Sequence, residues 1–570
     1  MHLDISTIDW VVLIVYIVGI CAAGVLVGLK VKDTDHYFLG GRKFGKFLMI
    51  GQSFGVGTHA EMPVALAGAV YTHGISGIWF QWKNLFATPF YWLMAPLFRR
   101  FRRTTLAEMI EDRYGPWMGV GYTLFAFGFF MVSLAAMHKG AAKVISQVAG
   151  GAVPVNGLVL AMTVVFVVYS FIGGLVASAW TDLLQGFLII ALSFMVVPIG
   201  WHLVGGLAGI TSAVEPYRLS LATPKGIGPW FILMLTLNGL IGIAAQPHIL
   251  ATVGTGKDET ACRAGFFHGN FVKRFCTIGW AITGLLVTVI VARGMFGDTS
   301  LPDAEDAFGY ACRHLLFPGG VGLLIACVLA ANMTTCSAMM VNSGALFTRS
   351  LYQRYWVRGR PDSHYLLVGR LSGLLVTVLA VVYAIFLIDR VLYAFLLNET
   401  VAAFVGISVL GGIFWRRANR WGALASVIAS LATNFGLYYQ RGQRLDHWEP
   451  DVFCIALLVG AASLVIVSLV TPAEPAKAIA DYYRKLQTPS DALVEETALP
   501  GEPSASAEAR QMRVTAEAGK QLLLVNLFQL RQGAAGVGFF RAYRADLKGF
   551  AVGWVITAGL VFFVWALFNV

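Results

Sequence analysis

Two short segments of the chain offer oxygen atoms in stretches apolar enough to cross a bilayer: Gly51-Gln-Ser-Phe-Gly-Val-Gly-Thr-His-Ala-Glu61 and Ala330-Ala-Asn-Met-Thr-Thr335. A continuous helix satisfies its own backbone. Unwinding at membrane depth is tolerated only where it lines a cavity or is buried in protein. Gly55 and Gly57 make unwinding cheap, and the freed carbonyls of Gly55 and Thr58 then point at a common centre. In the second segment Ala331, Thr334 and Thr335 fall at i, i+3 and i+4, on one helical face. One carbonyl and two hydroxyls converge there, and neutral oxygens suit a weakly held monovalent cation, Na+. Each segment alone also has a plainer reading: small residues permit close helix packing, and a threonine hydroxyl back-bonds to the i−4 carbonyl.

The elements that must position these oxygens are membrane helices. The chain is 57% hydrophobic and 13% charged, with 62 Gly and 15 Trp, against about 25% charged residues in globular proteins. Apolar runs long enough for a hydrocarbon core of about 30 Å predict fourteen spans, near 8–30, 47–72, 76–98, 117–147, 155–178, 180–204, 228–251, 270–293, 318–348, 365–388, 392–414, 421–440, 451–471 and 550–569. No small-residue cleavage site follows the first run, which reads as a retained helix and not a signal peptide. The seven cysteines are scattered without metal spacing and read as packing residues.

Basic residues resist translocation and fix the orientation. They group in alternate loops: Lys30 to Lys46, Arg99 to Arg103, Lys257 to Arg274 (with Arg263 and Lys273 between), Arg349 to Arg360, and Arg416 to Arg420. Both termini are therefore expected outside the cytoplasm, in the plasma membrane. The net charge of +11 then belongs to cytoplasmic membrane edges, with the lipid bilayer as partner. Nucleic acid is not expected, because no aromatic-interleaved basic patch exists. Residues 472–549 read as a cytoplasmic linker, flexible over the Pro-, Ser- and acid-rich stretch Pro489 to Glu508. Val514–Leu530 is an amphipathic segment that lies on the membrane or docks on the bundle.

Further signatures follow in order: Tyr37-Phe-Leu-Gly-Gly-Arg42, His59-Ala-Glu61, Thr105-Leu-Ala-Glu-Met-Ile-Glu-Asp-Arg113, Gly173-Gly-Leu with Trp180-Thr-Asp-Leu-Leu-Gln185, Gln246-Pro-His-Ile249, the run Ala330 to Tyr352, and Phe414-Trp-Arg-Arg-Ala-Asn-Arg-Trp-Gly422. In order and topology the chain resembles the sodium:solute symporter family, which includes sugar, proline, pantothenate and acetate carriers. The resemblance implies an all-α integral membrane protein with a leucine-transporter-like core of two inverted five-helix repeats. These fall at 47–204 and 228–414, joined by an outer loop at 205–227. A first helix and loop (1–46), accessory helices (415–471), the linker (472–549) and a last helix (550–570) complete the domains. It also implies a Na+ site built from the carbonyls of Gly55, Thr58 and Ala331 and the hydroxyls of Thr334 and Thr335, where threonine replaces the family's commoner serine. Asp182 is expected either to serve a second ion or exit path or to cap a helix start at the interface.

Intramembrane ionisable groups are expensive enough to be functional by default, which singles out His59 and Glu61. His-x-Glu also imitates half of a zinc deaminase motif, but no Pro-Cys-x-x-Cys follows. Glu61 matches a frequent family acid or glutamine facing the substrate, whereas His59 stands where serine is common. It either confers proton dependence or is simply hydrogen-bonded in the bundle. By the same resemblance Gln81, Lys83, Asn238, Gln246, Asn398 and Glu399 are cavity candidates. Lys83 either snorkels or pairs with an acid, and Asn398-Glu399 alternatively lies at the outer interface. The expected function is Na+-coupled symport of a small polar solute, with a lean to an organic or amino acid because Gln246-Pro-His-Ile249 resembles the proline, acetate and pantothenate branch. The alternatives are a sugar-type or proton-coupled symporter, an uncoupled pathway, or a transporter-shaped sensor. No phosphate-binding loop or nucleophile elbow suggests an enzyme. Oligomeric state is not legible.

Overall fold

A computed structural model describes residues 6–28, 33–224, 226–388, 390–444, 448–490, 522–527 and 539–568. Among these the regular structure is helical, apart from one isolated bridge between Phe44 and Gly256. Among the described residues nine helices are long and apolar enough to cross a membrane, or ten if the bent pair Pro229–Ala245 and Pro247–Gly254 is one span. The other expected spans take different forms. Residues 47–72 are two helices, Lys46–Gly57 and Glu61–His73. The 76–98 stretch is interrupted by turns between Trp82 and Thr88. The 155–178 stretch is interrupted by a kink where Gly174 takes φ 56° and ψ −152°, a conformation open to glycine and little else. The 421–440 stretch is the helix Arg420–Gln440, packed along Pro450–Val470.

The bundle is layered by lipid exposure. The most apolar stretch of Gly320–Trp356 is 100% buried and that of Glu259–Ala292 83%, against 17% for Thr7–Gly28 and Arg544–Phe568. The outer helices present Ile14, Val15, Val18, Val555 and Phe562 outward, as lipid-facing surfaces do. The helix Lys46–Gly57 sits between Glu259–Ala292 and Val155–Phe194, and Gly320–Ala345 packs on the latter. Its fit is tight: a Cβ at Gly269 would come within 2.8 Å of the Ile50 carbonyl oxygen and 2.9 Å of the Phe54 nitrogen. Backbone atoms cannot swing away, so Gly269→Ala is expected to destabilise the fold by about 1–3 kcal/mol, read as a lower unfolding temperature in detergent. An unchanged temperature would show that the two helices separate freely.

Three expectations need correction. Lys273 and Arg274, read as loop charges, lie inside the helix Glu259–Ala292 and are buried. The 472–549 linker contains a docked helix, Ala476–Gln487, whose Tyr482, Tyr483 and Leu486 are buried against the bundle. Tyr483 donates to the Gly412 carbonyl at 3.0 Å, and Lys485 pairs with Asp112 at 2.7 Å. Asp182 caps no helix start: it lies within the helix running on from Gly174 and is fully buried. Residues 491–508 of the flexible stretch and most of Val514–Leu530 lie outside the described residues. The described part, Leu523–Asn526, packs against the helices Thr88–Phe101 and Val391–Phe414.

Candidate functional site

Two helices break at the centre of the bundle, each for a local reason. The first ends at Gly57, and Thr58 turns extended (φ −117°, ψ 99°) before Glu61 starts the next helix. The break therefore falls just past the glycines, and Gly55 itself serves close approach: a Cβ there would lie 3.0 Å from the Asp182 Cβ. The second breaks at Gln246, which is extended (φ −67°, ψ 122°) because Pro247 follows. Pro247 then opens the next helix, where its missing N–H costs nothing. The Tyr122 hydroxyl donates to the Ala245 carbonyl at 2.7 Å, satisfying a group the break releases.

At the first break the backbone turns its oxygens toward the helix Gly320–Ala345. The Thr334 hydroxyl lies 3.3 Å from the Gly55 carbonyl oxygen and 3.1 Å from that of Ala331. The Thr335 hydroxyl lies 3.4 Å from the Gly55 oxygen and 3.3 Å from that of Val56. Both threonines are fully buried. Four of the five expected groups therefore share one locus. Thr58 stands at the break, its own hydroxyl donating back to Phe54 at 2.7 Å, and Val56 joins the set. A polar chain leads away: Ser337 donates to the Thr334 carbonyl at 3.1 Å, its hydroxyl meets that of Ser178 at 2.9 Å, and Ser178 reaches the Asp182 carboxylate at 3.2 Å.

Beside the breaks lie two cavities of about 560 and 320 Å³ that share His59, Gln246, His248, Phe395 and Glu399. His59 Nδ1 is 2.9 Å from Glu61 Oε1, and the other Glu61 oxygen has no partner among the described residues. Asn398 donates to Ser133 Oγ at 2.7 Å, placing it in the cavity wall and not at an outer interface. Lys83 does not snorkel. Its Nζ is buried 2.8 Å from Glu399 Oε2 and 4.8 Å from the centre of the Phe395 ring.

Gln81 and Asn238 stand behind the wall: the Gln81 carbonyl accepts from Arg274 at 3.3 Å, and the Asn238 amide donates to Thr400 at 2.9 Å. Sequence reasoning missed Ser178 and Ser337, although Ser337 lies one turn beyond Thr334 and Ser178 one turn before Asp182. It also missed the cavity residues His248, Asn270, Lys273 and Arg274. The legible signal for the last two was a pair of charges inside the apolar run 270–293.

This architecture has known counterparts. A Na+-coupled sialic acid symporter solved in a substrate-bound outward-open state superposes with a TM-score of 0.68 at 18% identity, covering 83% of this chain and 100% of that one. Mhp1, a nucleobase-cation-symport-1 family transporter, gives 0.51 at 13% identity over 79% of this chain and 98% of its own. Among curated relatives, the high-affinity proline transporter PutP of Bacillus subtilis is 29% identical over 80% of this chain and 97% of its own length. The osmoregulated proline transporter OpuE of the same organism is 26% identical over 81% and 95%, and the sodium/pantothenate symporter of Haemophilus influenzae 24% over 79% and 95%. The model of the sodium:solute symporter family matches residues 37–430, a stretch holding both breaks and the two threonines, and the chain belongs to that family.

Proposed function

We propose that this protein is a secondary active transporter that lets Na+ run down its gradient while carrying a small organic solute inward. The observation that carries this reading is the meeting of Gly55 and Val56 carbonyls with the Thr334 and Thr335 hydroxyls, directly beside the cavity. Na+ is held there by oxygens of Gly55, Thr58, Ala331, Thr334 and Thr335, and the solute occupies the space bounded by His59, Glu61, Gln246 and Asn398. Na+ bridges two helices that move relative to each other. It therefore favours the conformation in which they touch, a differential affinity for two states. Each inward charge gains about 2.3 kcal/mol per 100 mV. The core is read as inverted repeats 47–204 and 228–414 within fourteen spans, both ends outside the cytoplasm, in the plasma membrane.

The test is solute uptake into liposomes carrying the purified protein. Accumulation above the external concentration is expected under an inward Na+ gradient and not under an equal K+ gradient. Equal accumulation in both would remove Na+ coupling, and no accumulation at all would favour a sensor.

Asp182 and the Ser178–Ser337 chain are read as the route by which Na+ leaves, or as a second ion position. Asp182→Asn keeps the shape and removes the charge, and is expected to raise the half-saturating Na+ concentration roughly tenfold, about 1.4 kcal/mol. A variant with unaltered Na+ dependence would make the carboxylate structural.

A further inference from the structure

The helix Glu259–Ala292 places two basic side chains in the cavity wall that the reading above leaves without a task. Lys273 and Arg274 are 7% and 1% exposed and line the cavity with His59, Gln246 and Glu399. Arg274 donates from Nη1 to the Gln81 carbonyl at 3.3 Å and also meets the Tyr91 side chain, while its Nε has no partner among the described residues. Lys273 makes no ion pair among the described residues, and its stem runs past Gly57, where a Cβ would lie 4.0 Å from the lysine Cδ.

Charge decides what such a wall accepts. The charged groups of the two cavities and their ion-pair partners are Lys83, Lys273 and Arg274 against Glu61 and Glu399. Lys83 and Glu399 cancel, and Glu61 offsets one more cation. One positive charge is left over with His59 and His248 neutral, and protonating either adds to it. The C-terminal end of Lys46–Gly57 offers Lys273 about half a negative charge, too little to match it. Asp182 lies across that helix, against Gly55, and faces the sodium locus and not the cavity. A buried cation without an anion is costly, and a bound anion removes the cost.

We infer that the transported solute is a carboxylate and that Lys273, with Arg274 behind it, holds the carboxyl group. This rests on the cavity being the solute site. Lys273 approaches from a helix that contributes nothing to the sodium locus, so the anion and Na+ are gripped from opposite sides of the broken helix. A sugar leaves the surplus charge unmatched and is rejected.

The test is ligand-dependent thermal stabilisation of the purified full-length protein in Na+ buffer. Zwitterionic and simple acids (proline, lactate, acetate, pyruvate) are compared with prolinamide, lactamide and glucose. At least one acid is expected to bind roughly thirtyfold or more tighter than its amide; proline identifies a zwitterionic solute, and lactate, acetate or pyruvate a simple one. Lys273→Met is expected to bring the acid down to the affinity of the amide, and Lys273→Arg to restore most of it. An amide equal to its acid, binding of glucose alone, binding of none of the acids, or an unaltered Met variant overturns the inference. Should the Met variant fail to fold, the acid-to-amide ratio of the wild type decides. Acid binding that is equal in Na+ and K+ yet lost in Lys273→Met retires the sodium coupling and leaves the carboxylate site standing.

Discussion

Thr335→Ala is expected to raise the Na+ concentration for half-maximal uptake by roughly ten- to hundredfold, and Thr334→Ala by a similar factor. Each hydroxyl lies within 3.4 Å of the Gly55 carbonyl from the facing helix, so either substitution removes one of few neutral ligands. A hydrogen-bond-scale contact to a charged group contributes about 1.5–3 kcal/mol, which converts to that range. The two differ in what they leave behind. Without Thr335 the Val56 carbonyl loses its contact, whereas without Thr334 the Ala331 carbonyl still points at the locus. Thr335→Ala is therefore expected to be the more severe. Thr→Ser at either position keeps the oxygen and is expected to stay within a few-fold of wild type. Coupling is reciprocal, so solute affinity at fixed low Na+ falls with Na+ affinity and recovers at saturating Na+. Uptake titrated with Na+ at several solute concentrations measures both effects. Unchanged sodium dependence in both alanine variants would falsify the site.

How much of this was legible in the chain depends on the range of the interaction. Thr334, Thr335 and Ala331 were found because helical periodicity alone puts them on one face. The involvement of Val56 was hidden because the identity of a freed carbonyl depends on where the helix ends, and it ends at Gly57, the second of the two glycines. Tyr482, Tyr483 and Leu486 fall at a spacing that marks one helical face, but a polar surrounding stretch masked them. Lys273 and Arg274 were misread for a physical reason: a charge at the edge of an apolar run looks the same whether the chain leaves the membrane there or continues as a longer helix. Only the packing of Lys46–Gly57 and Thr88–Phe101 against Glu259–Ala292 distinguishes the two. The fold was recovered from ordered motifs, since apolar runs by themselves also fit bundles of other topology.

The pair Lys83–Glu399 joins residues 316 positions apart, and removing one partner alone is expected to produce the largest loss of stability. Lys83 Nζ is wholly buried and Glu399 nearly so. Removing one partner of such a pair leaves an uncompensated charge away from water, at a cost of about 3–5 kcal/mol, whereas replacing both by neutral groups of similar size is often nearly harmless. The two single variants should differ. Lys83→Met strands a carboxylate that shares its cavity with Lys273 and Arg274, which offer it a second partner. Glu399→Gln strands Lys83 beside two other cations with Glu61 as the one remaining acid. Glu399→Gln is therefore expected to lower the unfolding temperature more than Lys83→Met, and the double variant to be more stable than either. The measurement is a double-mutant cycle on unfolding in detergent, with solute binding followed in parallel. Additive losses would mean that the pair contributes only as two separate side chains. A reversed order of the single variants would place Glu399 outside the electrostatic reach of Lys273 and Arg274, leaving the surplus positive charge of those two against Glu61 as it was.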